Sequence, residues 1–99
     1  MATVEEIKLL LRKNKLRLQE ELSQSKEAMQ LIRKSTRTGL TIEEKVKIKE
    51  QLLDICKAIP ALAVFLLPGG ALLLPLLIKL IPDILPSAFK EDPIKKKNN

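Results

Sequence analysis

The chain has 99 residues, 18 Lys and Arg against 12 Asp and Glu, a formal charge of +6 and 45% apolar residues. A chain this short holds one small domain at most. Histidine is absent and Cys56 is the single cysteine, which excludes an internal disulfide and any zinc site built from Cys and His.

The amino terminus, Met1-Ala2-Thr3-Val4-Glu5-Glu6, is acidic and soon becomes mixed in charge. Secretory signals need an early apolar run and mitochondrial presequences avoid acids, so this start favours a bacterial chain inserted through its own hydrophobic segment. Residues 1–34 then predict one long amphipathic helix. Thr3 and Glu6 form a capping box, and Val4, Ile7, Leu11, Leu18, Leu22, Met29 and Ile32 make an apolar stripe that Leu9, Leu10, Leu16 and Leu31 widen. Three uses compete for this helix, packing on the second helix, a coiled coil with another copy, or lying on the membrane surface, and packing or self-association is favoured, Asn14 and Ser25 breaking what would otherwise be a clean heptad seam.

Residues 35–40 form a linker with Gly39 as its flexible turn, and Thr41 with Glu44 repeats the capping box. Residues 41–59 predict a second amphipathic helix that ends before Pro60. Ile48, Leu52, Ile55 and Ile59 form its apolar row; Ile42, Val46, Leu53 and Cys56 form an adjacent one. Lys45, Lys47 and Lys49 occupy the remaining surface, within reach of lipid phosphates. Cys56 reads as a small apolar filler, because no histidine exists to activate it.

From Ala58 to Ile78 there are 21 residues without a charge, closed by Lys57 and Lys79. A helix of that length covers roughly 30 Å, about the thickness of a bilayer's hydrocarbon core. The fold class expected is therefore an all-α membrane protein: two amphipathic helices followed by a proline-kinked or broken hydrophobic membrane segment. Pro60, Pro68, Gly69, Gly70, Pro75, Pro82 and Pro86 are the passage and hinge residues. Pro68, Pro75 and Pro82 recur every seven residues, which in one continuous helix would leave a single face short of donors. A break at Pro68-Gly69-Gly70 would give two half-helices; a kinked anchor is the simpler alternative.

The run from Pro60 to Phe89, with its five prolines, Lys79, Leu85 and the closing Leu-Pro-Ser-Ala-Phe, resembles the membrane segment of the Letm family of the mitochondrial inner membrane. Thr38-Gly39-Leu40-Thr41 and Asp54-Ile55 resemble the family's approach to the membrane, so the likeness covers about residues 28–92. It implies exchange of potassium or calcium for protons, ion homeostasis and ribosome binding. Ala71 stands where family members usually carry a glutamate between the second and third prolines. Most of the family's ribosome-binding-like domain, its EF-hand and its coiled coils are expected to be missing.

Asp54, Asp83 and Lys79 are the candidate ion- or proton-handling residues, since ionisable groups at membrane depth are rare and often functional. Their bland partners are close in sequence: Lys57 follows Asp54 by three residues and Lys79 precedes Asp83 by four. Residues 1–57 hold 13 Lys and Arg against 9 acids and residues 79–99 hold 5 against 3, so both flanks are basic and a re-entrant hairpin competes with a full crossing. Residues 90–99 predict a basic disordered tail in which Lys95, Lys96 and Lys97 would contact lipid or ribosomal RNA.

No metal, cofactor or enzymatic constellation is visible, and charges interleaved without stacking aromatics argue against specific DNA recognition. The expected partners are membrane lipid, the ribosome and further copies of the chain. Three functions compete: cation/proton exchange in a bacterial inner membrane, or the mitochondrial one if eukaryotic; a membrane anchor or adaptor for ribosomes; and a holin-like lesion.

Overall fold

The computed structural model describes residues 3–89. Within them the elements are α1 (Val4–Lys13), α2 (Lys15–Ser23), α3 (Lys26–Arg37), α4 (Ile42–Ala58), a 3-10 helix over Pro60–Leu66, a second over Gly70–Leu73, α5 (Leu74–Ile84) and the short α6 (Pro86–Phe89). The described residues contain no strand. The described residues are all-helical.

Both capping boxes form. The Thr3 hydroxyl accepts from the Glu6 amide at 3.1 Å while Glu6 accepts from the Thr3 amide at 2.8 Å. Thr41 and Glu44 do the same at 3.1 and 2.9 Å. These contacts satisfy amides that have no partner inside a helix.

The single long helix expected over residues 1–34 is three helices, divided at the two residues that interrupt the heptad. Asn14 turns its side-chain amide onto the Leu10 carbonyl at 2.9 Å, so side chain competes with backbone and the backbone opens to φ −112°, ψ 22°. Ser25 caps α3 by accepting from the Ala28 amide, and its hydroxyl donates to Gln51 of α4 at 2.8 Å. These breaks reset the phase of the stripe. Ile7, Leu11, Leu18, Leu22, Leu31 and Ile32 are buried as expected, whereas Val4, Leu9 and Leu16 are exposed, Met29 is half-buried, and Ala28 joins the core. The expected linker is also shorter, because α3 continues to Arg37.

Ile48, Leu52, Ile55 and Ile59 are all buried, together with Cys56. Beyond α4, Ile59 is extended (φ −115°, ψ 102°), as the residue before a proline prefers. The following 3-10 helix repeats about every three residues. Ile59, Leu62 and Phe65 therefore share one side and are all buried, while Ala61, Ala63, Val64 and Leu66 face outward.

Leu67 to Gly70 closes a turn in which the Gly70 amide donates to the Leu67 carbonyl at 2.7 Å. Gly69 sits at φ 85°, ψ −16°, the third-residue geometry of a type II turn, with Pro68 at the position that suits its fixed φ. Gly70 is required for a different reason. A Cβ there would lie 2.6 Å from the Val64 carbonyl oxygen and 2.8 Å from both the carbonyl carbon and oxygen of Phe65.

The expected break at Pro68-Gly69-Gly70 is present, but the even proline spacing does not mark one helix face. Pro60 opens the first 3-10 helix, Pro75 lies in the first turn of α5 and Pro86 opens α6, where a missing amide costs little. Among the described residues only Pro82 interrupts a helix interior.

α5 turns Leu74, Leu77, Leu80, Ile81 and Ile84 inward, and α1 and α3 both pack on it. Burying an aliphatic side chain of this size stabilises by about 1.5–3 kcal/mol, so this shared core is what holds the amphipathic helices to the apolar segment. No single helix among the described residues is long and apolar enough to cross a membrane. Pro60–Leu66 and Gly70–Ile84 meet that test only together, and they are bent by 105°.

Candidate functional site

Three surfaces surround the broken apolar segment. The first is an apolar tip at the turn: Val64, Leu66, Leu67 and Leu72 are exposed, with Leu72 at 83% and Leu67 at 60% of their full accessible area. Pro68 and Gly69 are exposed between them. The 3-10 geometry turns Leu62 and Phe65 inward and leaves these neighbours outside.

The second is a groove of about 630 Å³ between the α3–α4 junction and the start of α5. Leu40, Ile48, Leu74 and Ile78 give it an apolar lining, Ala71 and Leu72 lie at its α5 end, and Lys45 and Lys49 supply its charges. Lys45 and Lys49 are one helical turn apart on α4. The amphipathic period of that helix makes their shared face legible, but the groove depends on α5 folding back beside it.

The third is a charged seam between α3 and α4. Lys34 meets Glu44 at 2.7 Å and Lys47 meets Glu27 at 3.1 Å, while Gln51 donates to Glu27 at 2.9 Å. Lys34, followed by the Thr41 backbone amide, holds the Glu44 carboxyl below its ordinary pKa. Burial without a charged partner pushes the Cys56 thiol up to about 11, in keeping with a filler.

The structure does not gather the proposed ion-handling residues into a buried site. Asp54, Lys79 and Asp83 are all exposed. Asp54 pairs with Lys57 at 3.8 Å, and both side chains are largely solvated. Among the described residues no charged side chain is buried, and no cluster of three or more His, Cys, Asp or Glu has metal-binding geometry. Lys95, Lys96 and Lys97 lie outside the described residues.

Two arginines have structural roles that sequence spacing does not reveal. Arg17 donates to the Ala58 carbonyl at 2.7 Å, satisfying an acceptor at the end of α4 where Pro60 prevents continuation. Arg33 donates to the Ala88 carbonyl at 2.8 Å and lies over the Phe89 ring, 5.9 Å from its centre. An unsatisfied carbonyl before a proline is a visible signal. The identity of its distant donor is not.

The family model for the LETM1-like, RBD matches residues 40–99, more than half of the chain. The chain belongs to this LETM1-like family. The match starts at the α3–α4 junction and takes in the turn, α5 and the groove lining other than Ser35 and Gly39, so the proline-rich stretch lies within the matched residues.

A similar protein is the LETM1 domain-containing protein YLH47, mitochondrial, of Saccharomyces cerevisiae, 37% identical over 60 residues. The alignment covers 61% of this chain but 13% of the yeast protein, so the LETM1-like chain spans a small part of that relative. No solved structure matches.

Proposed function

We propose that this chain is a membrane-surface adaptor of the LETM1 type that engages the ribosome. The observation that carries this reading is the RBD match across residues 40–99. The surfaces support a division of labour. The apolar Val64–Leu72 tip suits the acyl boundary of a bilayer, and the net charge of +6 suits anionic headgroups and ribosomal RNA. The mitochondrial label of the yeast relative favours a mitochondrial membrane over a bacterial inner membrane. No enzymatic step or cofactor is needed.

The test is co-sedimentation of the chain with purified ribosomes over a salt series. Binding that weakens steeply as salt rises supports the adaptor, because contacts to phosphate release counterions. A chain that remains wholly with lipid vesicles when ribosomes are added removes the ribosome from its function. Alkaline extraction of the same vesicles separates an integral from a surface-bound state.

Cation/proton exchange is the second reading, favoured by the bent apolar pair Pro60–Leu66 and Gly70–Ile84, whose combined length and composition suit a broken span. It requires several copies, because one interrupted segment cannot line a pore. Potassium-driven proton flux in sealed vesicles tests it. Loss of flux in Asp54→Asn or Pro68→Ala ties those residues to exchange, and normal flux in both takes them out of it.

A further inference from the structure

We propose that the groove between α4 and α5 is a binding site for a long-chain fatty acid, with its chain on the apolar lining and its carboxylate on Lys45 and Lys49. This goes beyond the adaptor role and does not depend on the ribosome. Ile48, Ala71, Leu74 and Ile78 contribute apolar side chains to the lining, and the two charged residues of the lining are both cations. One helical turn separates them, so a single carboxylate between their amines can accept from both.

The fold leaves both of these groove-lining lysines uncommitted. Lys34 is engaged by Glu44 and Lys47 by Glu27, but Lys45 and Lys49 have no ion-pair partner among the described residues. No acid lines the groove to neutralise them. Two cations beside an apolar trough are complementary to an anion carrying an apolar chain.

The size selects among occupants. About 630 Å³ falls within the 300–1,000 Å³ range typical of small-molecule sites. A partner helix, about 10–12 Å across with its side chains, needs a longer and wider trench. The chain's own carboxyl-terminal residues include Lys95-Lys96-Lys97, whose charge opposes docking beside Lys45 and Lys49.

The experiment titrates the full chain with cis-parinaric acid, a fatty acid whose fluorescence rises in apolar surroundings, below its micellar concentration. The chain has no Trp or Tyr to interfere. Saturable one-to-one binding is expected, at least tenfold weaker for the methyl ester, which keeps the chain and removes the charge. The Lys45→Gln/Lys49→Gln double variant should bind the acid at least tenfold more weakly, and its exposed positions leave the fold intact by circular dichroism. Ala71→Glu should abolish binding by placing a competing carboxylate in the groove.

Equal binding of acid and ester, or unchanged affinity in the folded double variant, overturns the proposal. So does absence of saturable binding. Sedimentation of the ligand-free chain covers the remaining occupant: a dimer that Ala71→Glu dissociates would assign the groove to a second copy instead.

Discussion

Replacing Gly70 with alanine tests whether the two 3-10 helices meet as described. The added Cβ would stand 2.6 Å from the Val64 oxygen and 2.8 Å from the Phe65 carbonyl, contacts to backbone that no side-chain rotation relieves. Forcing a methyl group into a packed interior costs about 1–3 kcal/mol. For a domain of this size each kcal/mol lowers the melting temperature by about 4–8 °C, so a fall of roughly 5–20 °C is expected. Gly69 supplies the control. It has φ 85° and nothing within 4 Å of a Cβ, so its constraint is conformational and not steric. Asparagine tolerates the left-handed region, so Gly69→Asn should nearly preserve the melt while Gly70→Asn should be at least as damaging as Gly70→Ala. Thermal unfolding followed by circular dichroism reads all three. A Gly70→Ala chain that melts with the parent, or position 69 proving the more sensitive to asparagine, would refute the close approach.

Three other substitutions separate surface chemistry from structure. Asp54→Asn should change stability by less than about 0.5 kcal/mol in denaturant melts, because its pair with Lys57 is solvated. Lys34→Met should raise the Glu44 pKa, read by NMR titration. In the parent, stability contributed by the depressed carboxyl is complete above its ordinary value of 4.5 and is lost as pH falls through the lower folded value; in the variant that loss moves to higher pH. For Cys56 the sign is opposite. The unfolded thiol ionises near 9.0 and the folded one near about 11, so stability should decline as pH rises across that interval, and alkaline melts of Cys56→Ala should lack the decline.

Local chemistry was legible to the extent that it is local. Both threonine–glutamate caps form, and the α4 row of Ile48, Leu52, Ile55 and Ile59 is buried. The breaks at Asn14 and Ser25 were visible as interruptions of a seam but not as helix ends. Neither is Pro or Gly: Asn14 ends α1 with its side-chain amide on the Leu10 carbonyl, and Ser25 opens α3 by accepting from the Ala28 amide. Even spacing of Pro68, Pro75 and Pro82 suggested one face of one helix. The fold assigns them to a turn, a helix start and a helix interior. The groove was illegible because it joins Lys45 and Lys49 to Ala71 and Ile78, residues brought together only by the bend.

The apolar stretch poses a sharper problem, because hydropathy measures a preference for leaving water and does not name the alternative solvent. In this structure Leu62, Phe65, Leu74, Leu77, Ile81 and Ile84 are buried against protein, with the stripes of α1, α3 and α4 providing the cover. The same side chains cannot face those helices and lipid together. A membrane crossing by α5 therefore requires α1 and α3 to release it, whereas surface docking through Val64, Leu66, Leu67 and Leu72 does not. A covalent cross-link between α1 and α5 distinguishes the two. It should leave vesicle binding through the tip and salt-sensitive ribosome binding intact if the closed bundle is the working state. It should abolish resistance to alkaline extraction, and any potassium-driven proton flux, if function needs the segment to open into the bilayer. Full flux from the cross-linked chain would contradict that requirement, because the residues needed to face lipid would still be holding α1 in place.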